Sequence, residues 1–470
     1  MELYPQQQEA LKAIKRFLSS DDKVFILKGY AGTGKTTLMK KLIEEMQNMN
    51  LVFSLLASTG RAAKILANAT GCEAKTIHSE IYKFTDLNQD LEKVAETRET
   101  TKMDETGQLL LNFELTTKDY NTGVIFYLVD EASMISDSPD NNSTQALFGS
   151  GKLLTDLFNY DNTGRFIFVG DICQLPPVSQ NISPALSSNY IENTFEYKCQ
   201  EFELTDIIRQ SAEVDIVKSA QKLRKLFYNP QPWKWAKFPF RGYNDIHILN
   251  SQATLINEYI KRVNQLGYNN ATLLCYSNKQ CGITTQLLRP SFGHHSQSLE
   301  KGDLLLITQN NLISGLMNGD LGVIVEIGCR EHRAGLTFQE VAIKELFTNR
   351  IYKQLMVLDV LYGNQTNLTQ YQQKELFIDY YYRMRDKGIK QKSALFKQYM
   401  LNDPYLNALR AVFGYALTCH KAQGGEWDYV YLDIPRQVPA LEKPYVYQWI
   451  YTAMTRAKRG LYIVDDFWVM

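Results

Sequence analysis

A glycine-rich stretch near the start of the chain contains the residue types that bind nucleotide phosphates. It reads Gly29-Tyr30-Ala31-Gly32-Thr33-Gly34-Lys35-Thr36 and follows the apolar run Val24 to Leu27. Glycines let backbone N–H groups curve around an anion, a lysine reaches the β- and γ-phosphates, and a threonine hydroxyl is placed to hold Mg²⁺. A helical pattern of apolar residues follows, so strand, loop and helix occur in the order that a phosphate-binding loop requires.

Polar side chains also follow two later apolar runs. Asp130 and Glu131 come after Val124 to Val129, and Gln174 lies in the turn after Phe166 to Val169. Asp130 suits the coordination shell of Mg²⁺, Glu131 can polarise a water for attack on the γ-phosphate, and the Gln174 amide could sense that phosphate. The alternatives are a solvated acidic turn and a capping or turn amide.

The composition limits the kind of protein this can be. The chain has 470 residues, 44% of them hydrophobic, with 51 acidic and 51 basic side chains. A length of this size suggests roughly three or four structural units. No apolar run approaches the roughly 18 residues of a membrane span, and the N-terminus shows no secretory signal, so we expect a cytoplasmic protein. The seven cysteines form no CxxC pair, and no metal other than Mg²⁺ is expected.

Alternating strands and helices must position these side chains. A second apolar run, Leu51 to Leu56, is followed by a turn and a helical pattern, which predicts a parallel α/β sheet. Asn229-Pro230-Gln231-Pro232 reads as a linker, after which Ala271 to Cys275 begins a second α/β pattern. Ser136 to Gly151 reads as a mobile loop.

Eight segments in order carry a resemblance to a known family: GYAGTGKT, STGRAAK, KTIH, DEASM, GDICQLPPV, LTDIIRQ, YALTCHKAQGGEWD and YTAMTRAK. Together they resemble superfamily 1 helicases of the RecD and phage Dda group over nearly the whole chain. The resemblance implies an α/β fold with two RecA-like P-loop NTPase domains around ATP. It also implies three insertions, namely a β-hairpin (pin) subdomain, a small SH3-like β-barrel and a helical tower.

The domain boundaries expected from this resemblance follow the changes in sequence pattern. They are residues 1–78 and 121–228 for motor domain 1A, 79–120 for the pin subdomain 1B, 229–300 and 411–470 for motor domain 2A, 301–365 for the β-barrel 2B, and 366–410 for the tower.

The resemblance also assigns roles at the nucleotide. Gln7 would read the adenine, although Gln6 and Gln8 leave the register open by one residue and an exposed polar position is the alternative. Arg209 and Arg456 would contact the γ-phosphate, with surface arginines as the alternative, and Thr455 would cap or orient its turn. The expected catalytic residues are Lys35, Glu131, Gln174, Arg209 and Arg456; the ATP-binding residues are Gln7, Gly29, Ala31, Gly32, Thr33, Gly34, Lys35, Thr36, Thr37, Gln423 and Glu426; and the Mg²⁺ ligands are Thr36 and Asp130.

A second set of residues is expected to face DNA by the same resemblance. It comprises Thr59, Arg61, His78, Asn278, Thr418 and His420. For His78, a structural role as a packed histidine is an equal alternative.

Two inserted segments differ in charge. Ser79 to Tyr120 has ten acidic and five basic residues, whereas Thr366 to Arg410 has four acidic and eight basic. The acidic segment would be the strand-separating pin or a surface hairpin without that function. The basic segment could touch DNA phosphates or the acidic segment, and the opposite charges favour the intramolecular contact.

The expected function is therefore an ATP-dependent DNA helicase that moves on single-stranded DNA. The 5′ to 3′ direction rests on the resemblance alone. Its partners would be single-stranded DNA, single-strand to duplex junctions, and single-strand-binding, replication, recombination or repair proteins, with ATP and Mg²⁺ as cofactors, no membrane and a monomeric state. The alternatives are a DNA-stimulated ATPase that remodels protein–DNA complexes with little unwinding, and a small-molecule kinase.

Overall fold

The computed structural model describes residues 3–101, 109–118, 123–139, 146–178, 180–207 and 215–470. Arg209 and the turn at residues 104–107 lie outside these ranges. Within them, the strands form two parallel sheets of six and five strands, a five-stranded antiparallel sheet and a three-stranded sheet. Among the described helices, none is long and apolar enough to cross a membrane.

The first sheet is parallel and covered on both faces, as its continuous apolar strands require. Phe25 and Leu27 pack on one face, whereas Val24 and Ile26 pack on the other. In spatial order the strands are β3 (Ala74–Thr76), β2 (Phe53–Ala57), β6 (Phe126–Asp130), β8 (Arg165–Gly170), β1 (Val24–Gly29) and β9 (Cys199–Leu204). The helices around it are α1 (Pro5–Leu18), α2 (Lys35–Asn48), α3 (Gly60–Thr70), α4 (Ile77–Ile81), α6 (Leu153–Tyr160) and α7 (Ser188–Phe195).

The second sheet is also parallel and forms the core of the second α/β unit. Its strands are β10 (Ile246–Leu249), β19 (Ala457–Val464), β18 (Trp427–Leu432), β11 (Ala271–Cys275) and β17 (Leu417–Thr418). Its helices are α8 (Asp215–Tyr228), α9 (Gln252–Leu266), α10 (Asn278–Ser291) and α14 (Tyr445–Met454).

Helix α8 changes the predicted division between the two units. The sequence predicts the linker at Asn229 to Pro232, after this helix. In the structure, however, α8 packs against α14 and β19, and Ile216 and Leu223 belong to the core of the second unit. The chain therefore enters the second unit between β9 and α8, because the apolar face of α8 is buried there.

An antiparallel sheet is inserted in the second unit. Its strands, in spatial order, are β15 (Ile351–Val357), β14 (Leu336–Glu345), β13 (Leu321–Arg333), β12 (Leu304–Ile307) and β16 (Ala411–Phe413). The short helix α11 (Leu358–Leu361) packs beside β14. Strand β16 comes from the far side of the basic helical segment, so the sheet continues beyond the predicted boundary at residue 365.

The acidic segment forms a small sheet with a strand from a region predicted to be a loop. The sheet contains β4 (Tyr82–Leu87), β5 (Leu111–Leu115) and β7 (Ala146–Phe148), with helix α5 (Leu91–Thr101) between the first two strands. The loop prediction for Ser136 to Gly151 is thus wrong at residues 146–148, where the backbone pairs in parallel with β5. His78 packs at this sheet, with its ring centroid 5.6 Å from that of Tyr82 and 5.0 Å from that of Phe148.

The acidic and basic segments contact each other, which confirms the intramolecular contact predicted from their charges. The basic segment contains α12 (Gln370–Asp386) and α13 (Ala394–Asn402). The Lys397 Nζ lies 3.0 Å from the Asp86 Oδ2. Such surface pairs contribute only about 0–1 kcal/mol each, so the shared apolar cluster, which includes Leu91, Leu376 and Phe377, accounts for more of the contact.

Helix α3 connects the first unit to the antiparallel sheet. Lys64 forms an ion pair with Asp320, and Gly60 lies against Met317 so closely that an added Cβ would be 2.3 Å from the Met317 Cγ. A glycine at this position therefore allows the close approach of the two parts.

We expect Gly60→Ala to lower the midpoint of thermal unfolding, because overpacking of this kind costs about 1–3 kcal/mol. Adding Met317→Ala should restore part of the loss. Gly282→Ala is the matched control, since nothing lies within 4 Å of its added Cβ. A Gly60→Ala protein as stable as the wild type would contradict the contact.

The packing of His78 predicts a pH dependence of stability. Burial lowers its pKa from 6.5 to about 4. Because the folded-state pKa lies below the unfolded one, the stabilisation is complete above pH 6.5 and is lost as the pH falls towards about 4. The unfolding midpoint of the wild type should therefore fall more steeply over this range than that of His78→Phe, whose ring cannot be protonated. If the unfolding midpoints of the two proteins changed equally with pH, the prediction that His78 is packed and neutral would be contradicted.

Candidate functional site

A cavity of about 800 Å³ lies between the two α/β units. This volume is in the range of nucleotide and cofactor sites. The first unit and the antiparallel sheet contribute Tyr4, Gln7, Tyr30, Ala31, Gly32, Gly34, Lys35, Thr36, Thr37, Arg61, Ala62, Ile65, Asp130, Glu131, Gln174 and Phe347, and the second unit contributes Gly424, Glu426, Thr455, Arg456 and Lys458. Of the predicted nucleotide-site residues that the structure describes, those outside this lining are Gly29, Thr33 and Gln423.

The phosphate-binding loop forms one wall of this cavity. It joins β1 to α2, and Gly32 and Gly34 have φ values of 84° and 74°, which side chains rarely adopt. The Lys35 ammonium donates to the carbonyls of Gly29 at 2.7 Å and Tyr30 at 3.2 Å. The lysine thus folds back along its own loop, beside the N-terminus of α2, where free N–H groups favour an anion.

Of the three adjacent glutamines near the N-terminus, Gln7 lines the cavity. Its amide nitrogen donates to the Gly34 carbonyl at 3.1 Å, and its oxygen accepts from the Tyr4 N–H at 3.1 Å. Gln6 instead accepts the backbone N–H of Thr205. Gln7 is thus the glutamine that lies at the cavity, and it is fixed against the phosphate-binding loop.

The two adjacent carboxylates lie at the end of β6. Burial and the neighbouring Glu131 carboxylate raise the pKa of Asp130 to about 6. Glu131 has a φ of 50°, in the left-handed region that non-glycine residues seldom occupy and that is often found at functional sites. These crowded carboxylates, together with the Thr36 hydroxyl, fit Mg²⁺, which takes a few hard oxygen ligands from the protein and the rest from phosphate and water.

The second unit holds the backbone of residues 171–175 by hydrogen bonds. The Thr452 hydroxyl accepts the Leu175 N–H at 2.8 Å, and Gln448 donates to the carbonyls of Ile172 and Gln174, both at 3.2 Å. Gln423 donates to the Leu175 carbonyl at 3.4 Å. The predicted cavity residue Gln423 thus holds the segment that carries Gln174 and does not itself line the cavity.

A tyrosine bridges this segment and the phosphate-binding loop. The Tyr451 hydroxyl donates to the Asp171 carboxylate at 2.8 Å and accepts the Ala31 N–H at 3.1 Å. Burial raises the pKa of Asp171, whereas Lys35 and the Tyr451 hydroxyl oppose that rise. Sequence reasoning missed Tyr451 and Gln448, although the two lie at helical spacing on α14, which ends shortly before Arg456.

Arg456 lies on the wall opposite the phosphate-binding loop. Its guanidinium donates to the carbonyls of Thr452 at 3.1 Å and Gly425 at 3.2 Å, and to the Thr455 hydroxyl at 3.4 Å. The Thr455 hydroxyl also donates to the carbonyls of Tyr451 at 2.8 Å and Thr452 at 3.2 Å, so it contacts both its own turn and the arginine. Within the described ranges, none of the carboxylates forms an ion pair with Arg456. Glu426, at the same wall, lies 3.3 Å from Lys458.

A second cavity, of about 680 Å³, contains three of the predicted DNA-facing residues. Its lining is Pro176, Pro177, Val178, Gln180, Asn181, Tyr276, Ser277, Asn278, Thr418, His420, Lys421 and Tyr445. Hydrogen-bonding side chains, a lysine and two tyrosine rings are the groups that hold a nucleic-acid strand. Burial lowers the pKa of His420 and of Lys421.

The other three predicted DNA-facing residues lie elsewhere. The Thr59 hydroxyl caps α3 by accepting the Ala62 N–H at 3.2 Å. Arg61 lines the first cavity, and His78 packs between aromatic rings. The short motifs around these residues matched the family pattern, but the packing of α3 and of the small sheet directs their side chains away from the second cavity.

Two family models match the chain. Residues 2–225 match an AAA domain, and residues 413–464 match a UvrD-like helicase C-terminal domain. The first match covers the phosphate-binding loop and the carboxylates. The second covers Gln423 and Arg456.

Two similar proteins are helicases. The chain is 25% identical to the ATP-dependent RecD2 DNA helicase of Deinococcus radiodurans over 93% of its own length and 46% of that protein. It is 27% identical to the ATP-dependent DNA helicase dda of Enterobacteria phage T4 over 44% of its own length and 40% of that protein. The chain thus spans less than half of the length of either relative.

One solved structure shares the architecture. It is a Pif1 helicase from Bacteroides in complex with ADP-AlF3 and single-stranded DNA, with a TM-score of 0.51 and 16% identity over 99% of this chain and 93% of that one. At this identity the likeness concerns the fold. The two family models, the two helicase relatives and the ordered motifs together make the chain similar to superfamily 1 helicases of the RecD and Dda type.

Proposed function

We propose that this protein is an ATP-dependent DNA helicase that hydrolyses ATP in the first cavity and moves along single-stranded DNA held in the second. One observation carries this proposal. Residues 171–178 form a continuous segment whose Gln174 lines the first cavity and whose Pro176 to Val178 line the second. A change at the nucleotide can therefore reach the DNA through a few residues of backbone.

In this proposal, the residues of the first unit bind the phosphates and Mg²⁺ and activate the attacking water. The N–H groups of the phosphate-binding loop and Lys35 hold the β- and γ-phosphates. Thr36 and Asp130 would hold Mg²⁺, which neutralises charge on the phosphates. Glu131 orients the attacking water and takes up its proton.

The second unit completes the site by closing over it. Arg456 reaches the γ-phosphate from the opposite wall and stabilises the charge of the transition state, an effect worth about 10³- to 10⁵-fold in rate for a well-placed arginine. It follows the C-terminal end of α14, the helix that carries Gln448 and Thr452, and these two residues hold residues 172–175. We propose the same phosphate contact for Arg209.

The inserted segments would serve unwinding. We propose that the sheet β4–β5–β7 with helix α5 is the strand-separating pin subdomain, and that α12 and α13 are the tower that braces it. The shared apolar cluster of the two parts supports this role, because a wedge must be rigid. The antiparallel sheet would be the SH3-like barrel. We propose RecA-like motor domains with the boundary between them before α8, consistent with the packing of that helix.

Two observations favour a helicase over the alternatives. A small-molecule kinase has no use for the second cavity or for its connection to the first. A remodelling ATPase that unwinds poorly would not need a braced pin. The 5′ to 3′ direction and the contact with single-strand to duplex junctions rest on the resemblance to the RecD and Dda group.

The direct test is unwinding of duplexes that carry either a 5′ or a 3′ single-stranded tail. With ATP and Mg²⁺, we expect unwinding from the 5′ tail and stimulation of ATP hydrolysis by single-stranded DNA. Unwinding from the 3′ tail alone would contradict the direction. Hydrolysis indifferent to DNA would contradict the helicase proposal.

Lys35→Ala provides the site-specific form of this test. We expect this substitution to reduce hydrolysis and unwinding to background, because it removes the ammonium that binds the phosphates in the loop. Lys40→Ala, on the exposed side of the same helix, is the matched control and should retain both activities. Hydrolysis by Lys35→Ala at the wild-type rate would mean that the site is elsewhere.

A further inference from the structure

Arg61 lies at the nucleotide cavity with part of its guanidinium unpaired. It is the second residue of α3 and lines the first cavity together with Ala62 and Ile65. Its Nη1 is buried and has no hydrogen-bond partner. Burying a guanidinium nitrogen without an acceptor is costly, so such a group indicates that an anion completes the site.

The surroundings of Arg61 hold its position and leave its donors available. The guanidinium carbon lies 4.7 Å from the centroid of the Trp427 ring. Stacking on an aromatic face uses the flat surface of the guanidinium and leaves its N–H groups free in the plane. Trp427 thus orients the cation without satisfying its hydrogen bonds.

The charges near Arg61 also indicate an anion. Within the described ranges, no carboxylate lies within ion-pairing distance of Arg61. Asp320, which lies nearby, is paired with Lys64. Burial lowers the pKa of Arg61 to about 10; the Asp320 and Glu345 carboxylates oppose this shift, and the positive charge of Arg456 adds to it.

Arg61 and Arg456 meet at the same glycine. Arg456 donates to the Gly425 carbonyl at 3.2 Å, and a Cβ at Gly425 would lie 2.7 Å from the Arg61 guanidinium carbon. Two guanidinium groups in contact with one glycine repel each other unless a negative group lies between or beside them. A phosphate is such a group and accepts hydrogen bonds from both.

We propose that Arg61 binds the terminal phosphate of the nucleotide beside Arg456, as a further phosphate-binding residue and not as a DNA contact. This inference rests on the proposed ATP site. Arg61 belongs to the first unit, whereas Trp427, Gly425 and Arg456 belong to the second. The triphosphate would therefore be bound at this position from both units, and the diphosphate would lose the contact.

The test compares nucleotide and DNA binding of the full chain and three variants. The variants are Arg61→Gln, Arg61→Lys and the matched control Lys64→Gln. The control removes a cation of the same helix whose ammonium pairs with Asp320. The probes are fluorescent ATPγS, fluorescent ADP and a labelled oligo(dT) without nucleotide. Thermal unfolding establishes that each variant is folded.

We expect Arg61→Gln to weaken ATPγS binding relative to ADP by about tenfold or more, the loss typical of a charge-assisted hydrogen bond, and to leave oligo(dT) affinity within about twofold of wild type. Arg61→Lys should lie between, since lysine retains the charge but not the fork of donors. Lys64→Gln should keep the wild-type ratio of the two nucleotide affinities.

Two results would overturn the proposal. A loss of oligo(dT) affinity with an unchanged ATPγS to ADP ratio would make Arg61 a DNA contact. An unchanged ratio with unchanged DNA affinity would make it a packing residue. The two proposals can fail separately. If ATP hydrolysis by the wild type were not stimulated by DNA, the proposed function would be contradicted, but the nucleotide-binding measurements would still test Arg61.

Discussion

The arrangement of the two α/β units depends on hydrogen bonds from one unit to a single backbone segment of the other. Thr452, Gln448 and Gln423 bind residues 172–175, and the Tyr451 hydroxyl joins Asp171 to the phosphate-binding loop. Each such bond contributes only about 1 kcal/mol net, since water replaces it when the units separate. The interface is therefore held by several weak bonds, which would let the two units separate and rejoin at a small cost in free energy.

The insertions limit how the units can move. The acidic segment belongs to the first unit and the basic helical segment to the second, yet they share an apolar cluster. Helix α3 similarly connects the first unit with the antiparallel sheet through Lys64 and Asp320. Both contacts join the first unit to the insertions of the second, so an opening motion would have to pivot about them or break them. Because of these contacts, the two units would rotate relative to each other and would not separate freely.

Local motifs predicted most of the nucleotide site, because the loop, the carboxylates and Arg456 each follow a strand or helix end whose position the sheet fixes. The positions of the other site residues depend on long-range packing. Gln423 matched its motif but faces residue 175 across the interface, and Arg61 matched a DNA-contact motif but lines the nucleotide cavity. Strand β7 could not be predicted from three residues, since it forms only by pairing with β5. The place of α8 depends on which core buries its apolar face.

The proposed function requires that nucleotide binding closes the second unit over residues 171–175. Hydrogen–deuterium exchange of the Leu175 amide tests it directly, because that N–H is donated to Thr452 across the interface. Exchange at Leu175 should be slower when ATPγS and single-stranded DNA are bound than in the nucleotide-free protein. Equal exchange rates in the two states would show that this interface does not respond to the nucleotide and would contradict the proposed closure.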